Sequence, residues 1–170
     1  MTHKDLLVAT HLQMLGTLDG LLKKAADHEF GDKLLAAKLA EDMLPLSTQV
    51  RFLVNMPGEA MARLIGLDFK SSEQDPETLA EARKMAAQRK ADVEKWSAHN
   101  FLAEDEKIEL VIPNGMTFDL TAGEYVRDWA VPQFYFHATT AYAILRKEGL
   151  EIGKPDFVGY MFRYLRQPAS

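Results

Sequence analysis

The stretch VPQFYFHATTAYAILRKEGLEIGKPDF, from Val131 to Phe157, contains a long run of residues with a helical pattern. Its apolar residues recur at helical spacing as far as Gly149, a residue type that favours helix ends. The stretch therefore predicts a buried last helix that ends in a turn. The predicted inward stripe of this helix includes two polar residues four positions apart, and it comprises Val126, Ala130, Gln133, His137, Ala141 and Ile144.

A β-hairpin is predicted immediately before the last helix. Apolar and polar residues alternate in KIELVIPNGMTFDLT, residues 107–121, and Asn114-Gly115 lies between the two alternating runs. Asn-Gly is the strongest short hairpin signal, because both central positions of a tight turn favour positive φ. Thr121 and Glu124 then form a predicted capping box at the start of the last helix.

Two helical segments are predicted in the first part of the chain. The first covers residues 4–28, in which apolar residues recur at helical spacing. The second breaks near Asp42 and restarts with Pro45 in its first turn, because proline cannot donate a hydrogen bond inside a helix. Pro57 is expected to kink or interrupt this helix, and Gly66 is expected to end it.

A third helix is predicted from Asp75 and Pro76, which combine an N-cap acceptor with proline in the first helical position. It is expected to continue to about residue 100. With the last helix and the hairpin, these segments predict an all-α fold. The expected architecture is an antiparallel four-helix bundle with a small β-hairpin between helices three and four, in a single domain over residues 1–170.

Composition excludes several classes of function. The chain has 170 residues, a formal net charge of -5 and no cysteine. Disulfides, thiol catalysis by the protein, cysteine-ligated zinc and iron–sulfur clusters are therefore excluded. The acidic balance and the lack of a basic run argue against nucleic acid and anionic lipid as partners. No segment reaches membrane-spanning length, so a cytoplasmic protein is expected.

Polar residues on the predicted inward faces form the candidate site. Gln133 and His137 share a face of the last helix, and Asp42 and Gln49 lie near the restart of the second helix. His11 lies near the inward stripe of the first helix. One interpretation is a nickel or zinc site, which needs about three imidazole or carboxylate ligands. The other is a hydrogen-bonded cluster that fixes helix register or contacts a ligand, and the residues favour it because only one histidine is well placed.

Two motifs carry a resemblance to a known family. LAEDMLPLSTQVRF, residues 39–52, and FYFHATTAYAILRKEGLEIGKPDF, residues 134–157, resemble a domain-of-unknown-function branch of the DinB/YfiT-like putative metalloenzyme superfamily. The resemblance implies a four-helix bundle that is often dimeric. It also implies kinship with metal-dependent enzymes that use bacillithiol, mycothiol or glutathione, either as S-transferases or as maleylpyruvate isomerases.

The resemblance also implies positions for a metal triad. The superfamily places one histidine on the second helix and a His-x-x-x-His pair on the fourth, before a Leu-Arg dipeptide that corresponds here to Leu145-Arg146. By this correspondence His137 is the second histidine of the pair, Gln133 replaces the first, and Gln49 lies near the position of the second-helix histidine. Only one histidine of the three is kept.

Two functions follow as hypotheses. The first is a thiol-dependent transferase or isomerase with a degenerate metal site, in which His137 is a metal ligand or a general acid or base. The alternative is a non-catalytic dimeric bundle that binds a small molecule or acts in stress response. A homodimer is expected because aromatic residues such as Trp129 and Phe134 crowd more than one face of the last helix. The candidate ligand-binding residues are Asp42, Gln49, Gln133 and Tyr142.

Overall fold

The structure is a computed structural model that describes residues 1–166. The chain is mostly helical and contains one two-stranded antiparallel sheet. The α-helices and strands are, in chain order, α1 (His3–Ala26), α2 (Leu46–Ile65), α3 (Leu79–Trp96), β1 (Lys107–Val111), β2 (Thr117–Thr121), α4 (Ala122–Glu124), α5 (Val131–Lys147) and α6 (Lys154–Phe157).

Three other helical segments lie within residues 1–166. Gly31–Ala36 and Gly159–Tyr164 are 3-10 helices, and Tyr125–Ala130 is a π-helix that joins α4 to α5. The helical content and the hairpin confirm the coarse prediction, whereas the antiparallel bundle arrangement stays a prediction. No helix of the described residues 1–166 is long and apolar enough to cross a membrane.

The second predicted helical segment corresponds to α2, which begins and ends near the predicted residues. Pro45 is the N-cap of α2, one position before the first turn in which it was predicted. The helix continues through Pro57 to Ile65, so the predicted interruption at Pro57 is wrong. Gly66 ends the helix with φ of 68°, a left-handed conformation that glycine adopts without steric cost.

The predicted start of α3 is also wrong. The N-cap is Thr78, whose hydroxyl accepts a hydrogen bond from the Glu81 backbone N–H at 3.1 Å. The Asp75 carboxylate instead accepts hydrogen bonds from Thr48 at 2.5 Å and from Arg51 at 2.6 Å. Asp75 therefore ties the loop before α3 to the first turns of α2, rather than capping α3.

The hairpin covers the predicted residues and leads directly into the last helical segment, and of the Asn114-Gly115 turn only Gly115 has a positive φ, of 86°. Lys107 pairs with Thr121, and Val111 pairs with Thr117. The predicted capping box is confirmed, because Thr121 and Glu124 exchange hydrogen bonds at 2.9 and 3.2 Å.

A π-helical turn precedes α5 and contains Trp129. Pro132, in the first turn of α5, has no backbone N–H and would crowd the carbonyl four residues earlier in a regular helix. The wider turn over Tyr125–Ala130 relieves this conflict, and the backbone N–H of Val131 bonds to the carbonyl of Val126, five residues back.

The helices pack around two apolar clusters. The larger cluster lies between α1, α2, α3 and α5 and includes Leu18, Leu53 and Phe134. The smaller cluster joins α2 to the hairpin and to the π-helical turn. Val8 and Trp96 pack against both clusters, so the core is continuous. Within this core α2 packs against α5, which brings the candidate residues of the two helices together.

Candidate functional site

Gln49 and His137 meet between α2 and α5. The Gln49 Oε1 atom lies 2.7 Å from His137 Nδ1, although the two residues are 88 positions apart in the chain. Gln49 is 3% exposed, and His137 is half-buried. The structure therefore pairs the two positions that the sequence motifs singled out on the second and last helices.

The hydrogen bonds around Gln49 assign the protonation of the His137 ring. The Gln49 Nε2 donates to the backbone carbonyl of Leu44 at 3.2 Å, which directs Oε1 towards His137. Because Oε1 can only accept, His137 carries its proton on Nδ1. A neutral ring then leaves a lone pair on Nε2.

The surroundings of His137 favour this neutral ring. The rings of Phe52 and Phe136 contact it edge-to-face, with centroids 4.9 and 5.1 Å from that of the imidazole. Burial lowers the pKa of His137 to about 4, because the charged imidazolium would lose hydration without gaining an acidic partner. At neutral pH the site is therefore an uncharged hydrogen-bonding group between aromatic rings.

The remaining candidates lie apart from this pair. Asp42 is exposed in the loop before α2. Tyr142 is half-buried and contacts the ring of Phe157 at a centroid distance of 5.6 Å. His11 is fully buried in α1 and contacts Phe134, with ring centroids 4.6 Å apart. The structure thus supports Gln49 and His137 as a pair, and it does not bring Asp42 or Tyr142 to them.

Gln133, one helical turn before His137, lines the α2–α5 cleft, whose lining includes neither Gln49 nor His137. The cleft has a volume of about 140 Å³ and lies between α2, the hairpin and the π-helical turn. Aromatic walls come from Tyr125 and Trp129, and one acidic and one basic side chain come from Glu59 and Arg63.

Burial raises the pKa of Tyr125 to about 12, so its phenol stays protonated at neutral pH. No sequence pattern points to Glu59, Arg63 or Tyr125, because the cleft depends on where the hairpin folds back over α2.

The donor set does not fit a nickel or zinc ion. Among the described residues 1–166, no three His, Asp or Glu side chains come together as potential metal ligands. The site offers one imidazole nitrogen and the neutral amides of Gln49 and Gln133, and the Gln49 oxygen already accepts the proton of His137. Such metals require about three imidazole, thiolate or carboxylate ligands.

Comparisons with known proteins agree with this description of the fold. The chain is similar to a crystal structure of a DinB family member protein from Shewanella denitrificans, with 30% sequence identity and a TM-score of 0.74. The similarity covers 98% of this chain and 94% of that chain. The comparison with curated proteins gives no match. A family model described as a domain of unknown function (DUF1993) matches residues 4–158. The chain therefore belongs to this DUF1993 family, a branch related in fold to the DinB-like proteins.

Proposed function

We propose that this protein is a metal-independent, non-catalytic, antiparallel four-helix bundle that binds a small neutral molecule between α2 and α5. The observation that carries the proposal is the 2.7 Å hydrogen bond between Gln49 and His137. It occupies one of the amide oxygens that would have to bind a metal. It also holds His137 as a neutral hydrogen-bonding group, with Nε2 left as an acceptor.

The basicity of His137 favours binding over catalysis. A general base works best when its pKa is close to the operating pH. The pKa of His137, lowered by burial to about 4, leaves a weakly basic nitrogen at neutral pH. This nitrogen can accept a hydrogen bond from a ligand, but it is poorly matched to removing a proton from a substrate.

The α2–α5 cleft fits a small and uncharged ligand. Its volume of about 140 Å³ is below the range of roughly 300–1,000 Å³ that drug-sized ligands occupy. Glu59 and Arg63 contribute opposite charges to its lining, and Tyr125 and Trp129 contribute aromatic surface. Gln133 at the cleft and His137 one turn further along α5 are the proposed polar contacts.

Thermal unfolding with and without metal tests the metal-independent site. We expect nickel and zinc to leave the melting temperature of the wild type unchanged, in protein purified without an affinity tag. The His137→Ala variant should lose about 1–3 kcal/mol of stability, because Gln49 is left buried without its partner. The matched control is His99→Ala, which removes an exposed histidine and should change neither property.

One outcome would contradict the proposal and restore the thiol-dependent metalloenzyme. Nickel or zinc would raise the melting temperature of the wild type and of His99→Ala, but not that of His137→Ala. Such a pattern would mean that the folded protein binds metal through His137, since only ligands that prefer the folded state stabilise it.

Binding in the cleft can be followed through Trp129. The chain has two tryptophans, so the Trp96→Phe variant reports on Trp129 alone. We expect benzamide, a small neutral aromatic amide, to change the fluorescence of this variant in a saturable way. The additional substitution Gln133→Ala should weaken the effect. A response that is linear in benzamide, and equal in both variants, would count against a binding cleft.

A further inference from the structure

A second and larger cleft lies between α2, the loop before α3, and α3 itself. Its volume is about 430 Å³, which is within the range of small-molecule sites. One wall comes from Val54 and Asn55 of α2, and another comes from Met85 of α3. The α2–α5 cleft involves none of these three residues. The two clefts can therefore be tested separately.

The lining of this α2–α3 cleft is basic in a chain whose formal net charge is -5. Lys70, Lys84 and Arg89 contribute three positive charges, and Glu81 contributes one negative charge. The Glu81 carboxylate accepts a hydrogen bond from the Glu77 backbone N–H at 2.8 Å. Within the described residues 1–166, neither lysine forms an ion pair with an acidic side chain. Two lysines are thus available to a ligand.

Arg89 is held rigidly at the cleft. Its guanidinium lies 4.7 Å from the ring centroid of Phe69 and 5.2 Å from that of Trp96. Its Nε donates to the backbone carbonyl of Val54, and its Nη1 lies 3.4 Å from Asp92. These contacts leave Nη2 unused and fix the plane of the guanidinium. A cation that is already ordered loses little freedom when it binds an anion.

The polar wall formed by Asn55 and Ser72 is ordered as well. The Asn55 side chain is 4% exposed and bonds Ser72 twice, donating to its carbonyl at 2.8 Å and accepting from its N–H at 3.0 Å. This pair holds the Lys70 end of the loop against α2. The cleft is therefore formed before a ligand arrives, with basic groups at its edge and Val54 and Met85 as apolar surface.

We propose that the α2–α3 cleft binds a small organic anion, in which a carboxylate group or a phosphate monoester group is attached to an apolar body. Lys70, Lys84 and Arg89 contact the anionic group, and Val54 and Met85 contact the body. The proposal goes beyond the neutral ligand of the α2–α5 cleft and does not depend on it.

Calorimetric titration with phenyl phosphate tests the proposal. We expect saturable binding to the wild type that weakens as salt is raised, because exposed charges are screened. The Lys70→Gln/Lys84→Gln variant should bind at least roughly tenfold more weakly, since two charged hydrogen-bond donors to the anion are replaced by neutral ones. Benzyl alcohol, which has the apolar body without the anion, should not bind. Inorganic phosphate should bind more weakly than phenyl phosphate.

The matched control is Lys95→Gln, which removes an exposed lysine of α3 that does not line the cleft. It should bind phenyl phosphate as the wild type does. Three results would overturn the proposal: no saturable binding to the wild type, equal affinity in the double variant, or an equal loss in Lys95→Gln. All substituted lysines are exposed, so circular dichroism should show unchanged folding in every variant.

Discussion

The most unusual single residue of the core is His11. It is fully buried in α1, and neither of its ring nitrogens has a hydrogen-bond partner among the described residues. Burial lowers its pKa to about 3, because the charged ring would have no compensating group nearby. Its one specific contact is the edge-to-face arrangement with Phe134. The buried imidazole therefore lowers the free energy of unfolding, and the size of this effect should depend on pH.

Replacing His11 by methionine should stabilise the protein and flatten its response to acid. At pH 7 the apolar side chain removes an unpaired buried polar group, for an expected gain on the order of 1 kcal/mol. In the wild type the folded-state pKa of about 3 lies below the unfolded value of about 6.5, so the unfolded chain is protonated first. Stability is then complete above pH 6.5 and falls towards pH 3, by roughly 1.4 kcal/mol per unit.

Urea unfolding at pH 7 measures the gain in stability, and the difference between pH 7 and pH 5 measures the response to acid. His137 contributes a slope of the same sign and nearly the same size over a narrower range, between pH 6.5 and its folded-state pKa of about 4, in wild type and variant alike. His11→Met should therefore remove about half of the loss of stability between pH 7 and pH 5. The control His99→Met changes an exposed histidine and should keep the wild-type slope. A His11→Met variant that is less stable at pH 7 would mean that the imidazole is satisfied in the native protein.

Residue spacing correctly predicted the polar pair Gln49 and His137, and it was less successful for the other candidate residues. Gln49 and His137 were identified because both lie on inward-facing stripes, and they are in contact. Asp42 was included for its closeness in sequence to the restart of α2, but it faces solvent. Phe134, one of the aromatic residues from which a homodimer is expected, is fully buried in the core. Asp42 lies in the loop before α2, where helical periodicity gives no information about which way a side chain faces.

At the scale of elements, local signals succeeded where the causes are local. The Asn-Gly hairpin and the Thr121–Glu124 capping box depend on adjacent residues, and both are present. The predictions that are wrong concern residues whose partners are distant in the chain. Asp75 has the sequence context of an N-cap, yet its carboxylate is bound by residues of α2. The π-helical turn before Pro132 and the continuation of α2 through Pro57 also depend on packing.

The packing of α2 against its following loop gives a prediction about glycine. A Cβ atom at Gly58 would overlap the ring of Phe69, and that ring is held between Arg89 and Trp96. We therefore expect Gly58→Ala to destabilise the protein by about 1–3 kcal/mol, as overpacking of a core does. Denaturant unfolding of the variant and of the wild type measures the change.

Gly20 in α1 is the matched control for Gly58, because a Cβ atom there would meet nothing within 4 Å. Gly20→Ala should stabilise the protein by about 0.5–1 kcal/mol through the higher helix propensity of alanine. If both substitutions shift stability in the same direction, close packing of Phe69 is not the reason for glycine at position 58.

At the scale of the whole molecule, one group of exposed apolar residues lies near the end of the described chain. Met161, Phe162, Tyr164 and Leu165 are between 52% and 67% exposed, within five consecutive positions. On α5 the exposed aromatic residue is Phe136, at 58%, whereas Phe134, which with Trp129 is a reason to expect a homodimer, is buried. Apolar residues clustered at a surface in this way are typical of an interaction site.

We therefore propose a homodimer in which residues 161–165 contact a second copy of the chain. Light scattering at micromolar concentration should give twice the chain mass of 19.2 kDa. The Phe162→Ser/Leu165→Ser variant should give a single chain mass, because the apolar contact is lost while no core residue changes. Met116→Ser, at an exposed hairpin position, is the control and should remain dimeric. A monomeric wild type would contradict the dimer, and a monomer produced by Phe136→Ser alone would move the interface to α5.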